Sequence, residues 1–143
     1  MLAVILTAGG LLVVTVVLHA AGFAVLLRAV VRLRLLARSG LVHVTGSMVI
    51  LTFGLILIHL VDISVWGVFY FWQGCLPDAK DAFYFSGVTY TTLGYGDLVL
   101  PRAWRMLAPT ETLTGILMCG LSTGLFFAVV SRFMTAFVKT RTR

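Results

Sequence analysis

The segment TYTTLGYGDLV, residues 89–99, is polar and rich in glycine, although long apolar segments precede and follow it. Gly94 and Gly96 flank a tyrosine, threonines precede them, and Asp97 closes the group. A glycine pair in a loop is usually only part of a turn. The surrounding sequence indicates a different role, because it places this segment between two membrane-spanning helices.

The composition is that of an integral membrane protein. The chain has 143 residues, of which 60% are hydrophobic, and a mean hydropathy of +1.06. Soluble domains are roughly 45–50% apolar. The excess lies in three runs, and the predicted spanning helices are 1–27, 48–72 and 104–138, each longer than the ~20 residues that cross a bilayer. We therefore predict an all-α membrane protein with a single domain and three crossings.

The net charge of +6 follows the membrane topology and does not indicate nucleic-acid binding. The connector 28–47 contains four arginines, Arg28, Arg32, Arg34 and Arg38, and the end of the third run contains Arg132, Lys139, Arg141 and Arg143. The segment between the second and third runs contains only Lys80, Arg102 and Arg105. Cytoplasmic loops carry the excess of Lys and Arg. The connector and the C-terminus are therefore predicted to be cytoplasmic and the N-terminus outside. The four connector arginines are predicted to contact anionic lipid headgroups, since their irregular spacing does not fit a voltage sensor.

The first run is predicted to be a retained helix and not a signal peptide. It has no basic residues before it and its apolar stretch is too long. Cys75 is expected in the outer loop, within reach of solvent, and Cys119 deep in the third helix. Because these depths differ, no disulfide between them is predicted. The cysteines show no metal-binding spacing.

A short helix precedes the glycine pair. Pro77 breaks the chain, Asp78 is a good N-cap, and Asp81 suits the first helical turn. The predicted helix runs from Ala79 to about Thr91, which is too short to span a bilayer. A short helix and a non-helical segment between two spanning helices predict a re-entrant loop over 78–97. Irregular backbone at membrane depth must be buried in protein or line a watery path.

An extended TLGYG segment offers backbone carbonyls that can replace the water around a monovalent cation. Successive carbonyls point the same way only if the sign of φ alternates, which Gly94 and Gly96 allow. The Thr92 hydroxyl adds one more oxygen. One strand supplies only one oxygen per level, so four strands around an axis, and hence a tetramer, are predicted. The carbonyl end of the short helix would favour a cation near the axis.

The segment TTLGYGD, residues 91–97, resembles the selectivity filter of the potassium channel family, which usually reads TTVGYGD. Leu93 stands at the valine, and the other six residues match. The resemblance covers about residues 48–138, with an outer helix, a pore helix, the filter and an inner helix. The first helix lies outside this pore unit.

The resemblance implies roles for particular residues. Potassium would be coordinated by the carbonyls of Thr92, Leu93, Gly94 and Tyr95 and by the Thr92 hydroxyl, with Gly96 completing the filter. Support for the filter would come from Thr91, Asp97, Tyr84 and Phe85. In the third helix the resemblance implies a gating hinge, for which Gly120 and Gly124 are the candidates. Close helix packing is the alternative role of these glycines.

Many family members carry a carboxylate at the position of Val88. We predict that Glu111 replaces it and braces the filter, accepting hydrogen bonds from pore-helix groups such as Thr89 or Tyr90, or from His59. The alternative is a protonated Glu111 with no link to the filter. His59 and Asp62 are three residues apart and should share one helix face, with roles that the sequence does not define. His19 is expected to be alone in a packing role.

The resulting prediction is a homotetrameric, potassium-selective channel that conducts passively in a bacterial inner membrane. The alternatives are a weakly selective Na⁺/K⁺ channel and a non-conducting membrane subunit. The sequence shows no nucleophile–base set and no metal cluster, so an enzyme is not expected. No cofactor is expected beyond the permeant K⁺ ions.

Overall fold

The computed structural model describes residues 2–32 and 41–141, and all regular structure in these ranges is helical. The helices are α1 (Leu2–Arg32), α2 (Leu41–Trp72), α3 (Ala79–Tyr90) and α4 (Leu107–Arg141). Three of them, α1, α2 and α4, are long and apolar enough to cross a membrane. The prediction of an all-α protein with three spanning helices is confirmed, and the chain is a multi-pass membrane protein.

The long helices differ in extent from the apolar runs. Helix α1 continues to Arg32, and α2 already begins at Leu41, so much of the predicted connector is helical. Arginine is a good helix former, and its long side chain reaches the membrane surface without ending the helix. At the other end, α4 begins at Leu107 and not at 104. The connector residues Arg34 and Arg38 lie outside the described residues.

Helices α1 and α3 both pack on α2 and α4, which also contact each other. One apolar cluster surrounds α3 and includes Trp66, Tyr70, Phe85 and Leu107. A second cluster joins α1, α2 and α4 and contains Leu26, Val30, Leu51, Leu55 and Val129. The buried apolar residues therefore form two separate clusters, one around α3 and one between α1, α2 and α4.

Glycines bring α1 and α2 close together. A Cβ added at Gly22 would lie 2.8 Å from Ile58, and one added at Gly54 would lie 2.5 Å from Leu26. Small residues of this kind let membrane helices approach until their side chains interlock. Helix α1 is thus tightly packed on α2.

The local signals around α3 act as predicted. Asp78 has an extended conformation, and its side chain accepts a hydrogen bond from the Asp81 amide at 2.8 Å. The helix ends at Tyr90, where the Thr91 hydroxyl donates to the Gly87 carbonyl at 2.6 Å. The predicted N-cap is confirmed, and the helix is one residue shorter than expected. The polar segment therefore begins directly at the carbonyl end of α3.

Candidate ion-binding site

Backbone conformation alternates along the segment that follows α3. Thr92, Gly94 and Gly96 have φ values of 64°, 55° and 76°, whereas Leu93 and Tyr95 between them do not have positive φ. Positive φ is uncommon for threonine and easy for glycine. The alternation that aims successive carbonyls to one side is thus present over these five residues.

The amides of this segment are tied to the last turn of α3. Leu93 and Gly94 donate to the Val88 carbonyl at 2.9 and 3.2 Å, and Thr92 donates to the Thr89 carbonyl at 3.0 Å. Within the described residues, no backbone amide donates to the carbonyls of residues 92–95. The amides of Thr92, Leu93 and Gly94 therefore hold the segment to α3, and the carbonyl oxygens of residues 92–95 stay available for a ligand.

All residues from Thr91 to Asp97 are exposed on the single chain. The exposed fractions reach 55% for Leu93 and 67% for Tyr95. Irregular backbone cannot face lipid, because its polar groups would have no partners there. This surface must therefore face water or other copies of the chain.

Two aromatic residues of α3 connect the segment to the helices in different ways. The Tyr84 hydroxyl donates to the Asp97 carboxylate at 2.7 Å, which ties the end of the segment back to α3. Phe85 is buried and packs edge-on against Tyr70 of α2, with ring centroids 5.3 Å apart. The geometry thus allows Tyr84, Phe85 and Asp97 to support the segment, a role that stays a prediction.

A sequence model of the ion channel family matches residues 49–135. The chain belongs to this family. The matched ion channels are of the two-transmembrane type, and the match covers most of α2, all of α3 and most of α4. No curated protein sequence and no solved structure matches the chain significantly. Membership indicates a passive channel and not an enzyme.

Glu111 of the channel is completely buried and lies between two helices. Its carboxyl group accepts a hydrogen bond from Tyr70 of α2 at 2.8 Å and lies 2.6 Å from the Ser86 hydroxyl of α3. The named candidates Thr89, Tyr90 and His59 are not its partners, and Ser86 provides the contact with α3 instead. Because α4 begins at Leu107, Glu111 lies only about one turn into the helix and faces the end of α2 near Tyr70.

The hydrogen bonds around Glu111 indicate its protonation state. The Ser86 hydroxyl has one hydrogen but two oxygen neighbours, the Ile63 carbonyl at 2.8 Å and the Glu111 carboxyl at 2.6 Å. All contacts are satisfied when Glu111 carries a proton and donates to Ser86, which then donates to Ile63. A protonated Glu111 can therefore contact α3 through Ser86, and the bracing of the filter by this residue stays a prediction. The Ser86 hydroxyl is the sequence feature that could have indicated this contact.

A second polar group holds the C-terminal end of α3. The Tyr90 hydroxyl donates to the Asp62 carboxylate at 2.9 Å and lies 3.0 Å from Nδ1 of His59. His59 and Asp62 thus share a helix face, as predicted. His19 of α1 is not alone, because its Nδ1 lies 2.6 Å from Asp62. The sequence could not reveal this contact, since 43 residues separate the two side chains.

Helix α4 packs directly on the end of α3. A Cβ added at Gly115 would overlap the Tyr90 carbonyl oxygen. The Thr112 hydroxyl donates to the Thr89 carbonyl at 3.2 Å. At Gly120 and Gly124 an added Cβ would have no neighbour within 4 Å in the single chain. Gly115 is therefore a packing residue, and the hinge role of Gly120 and Gly124 stays a prediction.

The two cysteines of the channel differ from expectation in exposure. Cys75 is buried, with 6% of its surface exposed, whereas Cys119 is exposed on the single chain. The expected access of solvent to Cys75 is wrong, because the turn after α2 folds its side chain into the cluster around Trp66 and Tyr70. Burial also raises the pKa of the Cys75 thiol. Both thiols are free.

Proposed function

We propose that four copies of this chain form a potassium-selective channel whose filter is the segment Thr92–Gly96. The observation that supports this best is the alternating backbone of Thr92, Gly94 and Gly96 at the carbonyl end of α3. It is combined with carbonyl oxygens that receive no backbone hydrogen bond among the described residues.

Ion coordination follows from this arrangement. Four strands place rings of four carbonyls from Thr92, Leu93, Gly94 and Tyr95 around an axis, and these rings replace the hydration shell of K⁺. The four Thr92 hydroxyls form one further ring of oxygens. The negative ends of four α3 helices favour a cation below the rings. No cofactor is needed beyond the permeant ions.

Assembly is supported by the surfaces that a single chain leaves open. A groove of about 640 Å³ lies between the proposed filter, α3 and α4, and Leu113 and Ile116 of α4 line it. Both residues are more than half exposed, at 55% and 53%. Neighbouring copies around a fourfold axis would cover this groove. Ion channels of this type generally form tetramers.

The membrane orientation is proposed from charge. Arg28 and Arg32 lie in the last turns of α1, and Arg132 lies near the end of α4. These helix ends are proposed to be cytoplasmic, in contact with anionic headgroups. The N-terminus and the α2–α4 connection, which contains the proposed filter, then lie on the outer side of the membrane. This membrane is proposed to be the inner membrane of a bacterium.

A flux assay in liposomes tests the proposal. Purified channel is reconstituted with either a K⁺ or a Na⁺ gradient, and protein-free liposomes measure the leak. We expect K⁺ flux well above Na⁺ flux. Equal fluxes would instead identify a weakly selective channel, the candidate that the missing carboxylate at Val88 favours. Leak-level flux of both ions through assembled protein would identify a non-conducting subunit.

A further inference from the structure

Three ionisable side chains that the filter does not use meet inside the membrane-spanning part of the molecule. They are His19 of α1 and His59 and Asp62 of α2, and their nitrogen and oxygen ligand atoms all lie within 4.8 Å of one another. His19 is 1% exposed and Asp62 is 0% exposed. Ionisable groups at membrane depth are costly and usually have a function.

We propose that this cluster binds one divalent transition-metal ion, with Zn²⁺ as the best match. Two imidazoles and a carboxylate are a common zinc ligand set, and such a site takes a fourth ligand. Mg²⁺ and Ca²⁺ are disfavoured because they require oxygen ligands. The proposal is independent of the proposed function, since a metal can bind here whether or not the chain conducts potassium.

The ligand atoms already have nearly the required spacing. Zinc–ligand bonds of about 2.0–2.1 Å in a tetrahedron place neighbouring ligand atoms about 3.3 Å apart. Oδ2 of Asp62 lies 2.6 Å from Nδ1 of His19. The Tyr90 hydroxyl lies 2.9 Å from the same Oδ2 and 3.0 Å from Nδ1 of His59. Small side-chain movements would thus surround an ion with both Nδ1 atoms, Asp62 and, as fourth ligand, Tyr90, whose hydroxyl would release its proton on binding the metal.

The opposite nitrogens of both imidazoles meet one hydroxyl. Nε2 of His59 lies 2.9 Å and Nε2 of His19 lies 3.4 Å from Oγ of Ser122 on α4. A hydroxyl oxygen can accept two hydrogen bonds. A histidine bound to metal through one nitrogen normally donates from the other to an oxygen, which fixes the ring. Ser122 therefore occupies the position from which it would orient both imidazoles.

Asp62 supplies an independent observation that favours a cation at the cluster. Its Oδ1 atom is buried and has no hydrogen-bond partner among the described residues. An unpaired buried carboxylate oxygen is destabilising, and charged groups are the worst case. A divalent ion beside the carboxylate would compensate it. The ion would also join α1 to the hydroxyl of Tyr90, the last residue of α3 before the proposed filter.

Cobalt spectroscopy tests the site, because Co²⁺ substitutes for Zn²⁺ and has visible absorption. The full-length protein, freed of any histidine tag and stripped with a chelator, is titrated with Co²⁺ in detergent. We expect an intense ligand-field band, typical of four-coordinate cobalt, that saturates at about one ion per chain. Zn²⁺ should abolish the band. A sulfur-to-cobalt charge-transfer band, which would indicate cysteine ligands, should be absent.

Variants locate the ion. His19→Gln and Asp62→Asn should each lower the Co²⁺ affinity at least tenfold, while His43→Gln, a control for nonspecific histidine binding, should leave it unchanged. Size-exclusion profiles check that the variants remain assembled. If the unsubstituted protein gave the same spectrum as aqueous Co²⁺, the proposal would be overturned without any variant. His19 and Asp62 would then form a hydrogen-bonded pair that binds no metal. An unchanged band in both ligand variants would also overturn it.

Discussion

Gly94 and Gly74 have similar positive φ values, 55° and 61°, in different parts of the molecule. Gly94 lies in the proposed filter, whereas Gly74 lies in the turn after α2. Neither position is crowded, because an added Cβ would meet nothing within 4 Å. Substitution at either glycine therefore changes backbone preference without a clash inside the chain.

Gly94→Ala should lower K⁺ flux at least tenfold while the tetramer still forms. The left-handed conformation costs a residue with a Cβ about 1–2 kcal/mol, and four chains would be affected at one ring of carbonyls. Gly74→Ala carries the same cost outside the filter and should leave the flux nearly unchanged. The measurement is K⁺ flux in liposomes at equal protein content. Equal losses in both variants would refute the special role of Gly94.

Glu111→Ala should shorten channel openings or reduce potassium selectivity. Tyr70 and Ser86 lose a buried partner, at about 1–3 kcal/mol each, which loosens α3 behind the filter. Glu111→Gln should have a much smaller effect, because an amide can donate and accept as the protonated acid does. Thr110→Ala is the control, since among the described residues the Thr110 hydroxyl donates only to the Met106 carbonyl, just before α4 begins. Single-channel records of Glu111→Ala that equal those of the parent would exclude the bracing role.

At the scale of elements, the contact between α3 and α4 depends on one missing side chain. Gly115→Ala should lower the thermal stability of the assembled channel, by about 1–3 kcal/mol per chain, because its methyl group would overlap the backbone carbonyl of Tyr90. Gly10→Ala in α1 is the control, since its Cβ would meet nothing within 4 Å. The dissociation temperature of the oligomer measures both. Unchanged stability in Gly115→Ala would mean that α3 and α4 are farther apart in the assembled channel than the contact between Gly115 and Tyr90 indicates.

At the scale of the whole molecule, the exposed segment Thr91–Asp97 must face water or further copies of the chain, and the proposed filter uses four copies. Native mass spectrometry in mild detergent should therefore show four chains. Gly94→Ala should also show four chains, because it alters a ligand ring and not the contacts between helices. A monomer or dimer that still conducts ions would contradict the tetramer.

Topology is a second property of the whole molecule, and the buried Cys75 allows a clean test. Cys119→Ser should not react with a membrane-impermeant thiol reagent, since it retains only the buried thiol. Added to that variant, Gln73→Cys should react from outside, and Arg132→Cys only after the membrane is opened. Both positions are exposed on the single chain. Labelling of Arg132→Cys in intact cells would reverse the proposed orientation.

The sequence alone determined the features that depend on neighbouring residues. Apolar length predicted three spanning helices, and Asp78 and Asp81 predicted the start of the short helix. The glycine spacing predicted where φ turns positive, at Gly94 and Gly96. Each of these depends on local preferences for capping, hydropathy and backbone conformation, which a window of a few residues already contains.

Only the tertiary structure decided which distant side chains meet. Glu111 contacts Ser86 and Tyr70, and the burial of Cys75 follows from the fold of its turn. His19 meets Asp62, although it lies before the segment that matches the family. The physical reason is that such contacts depend on how helices are shifted and rotated against one another. A difference of one turn in where a helix begins changes every partner along its face, and hydropathy does not record that shift.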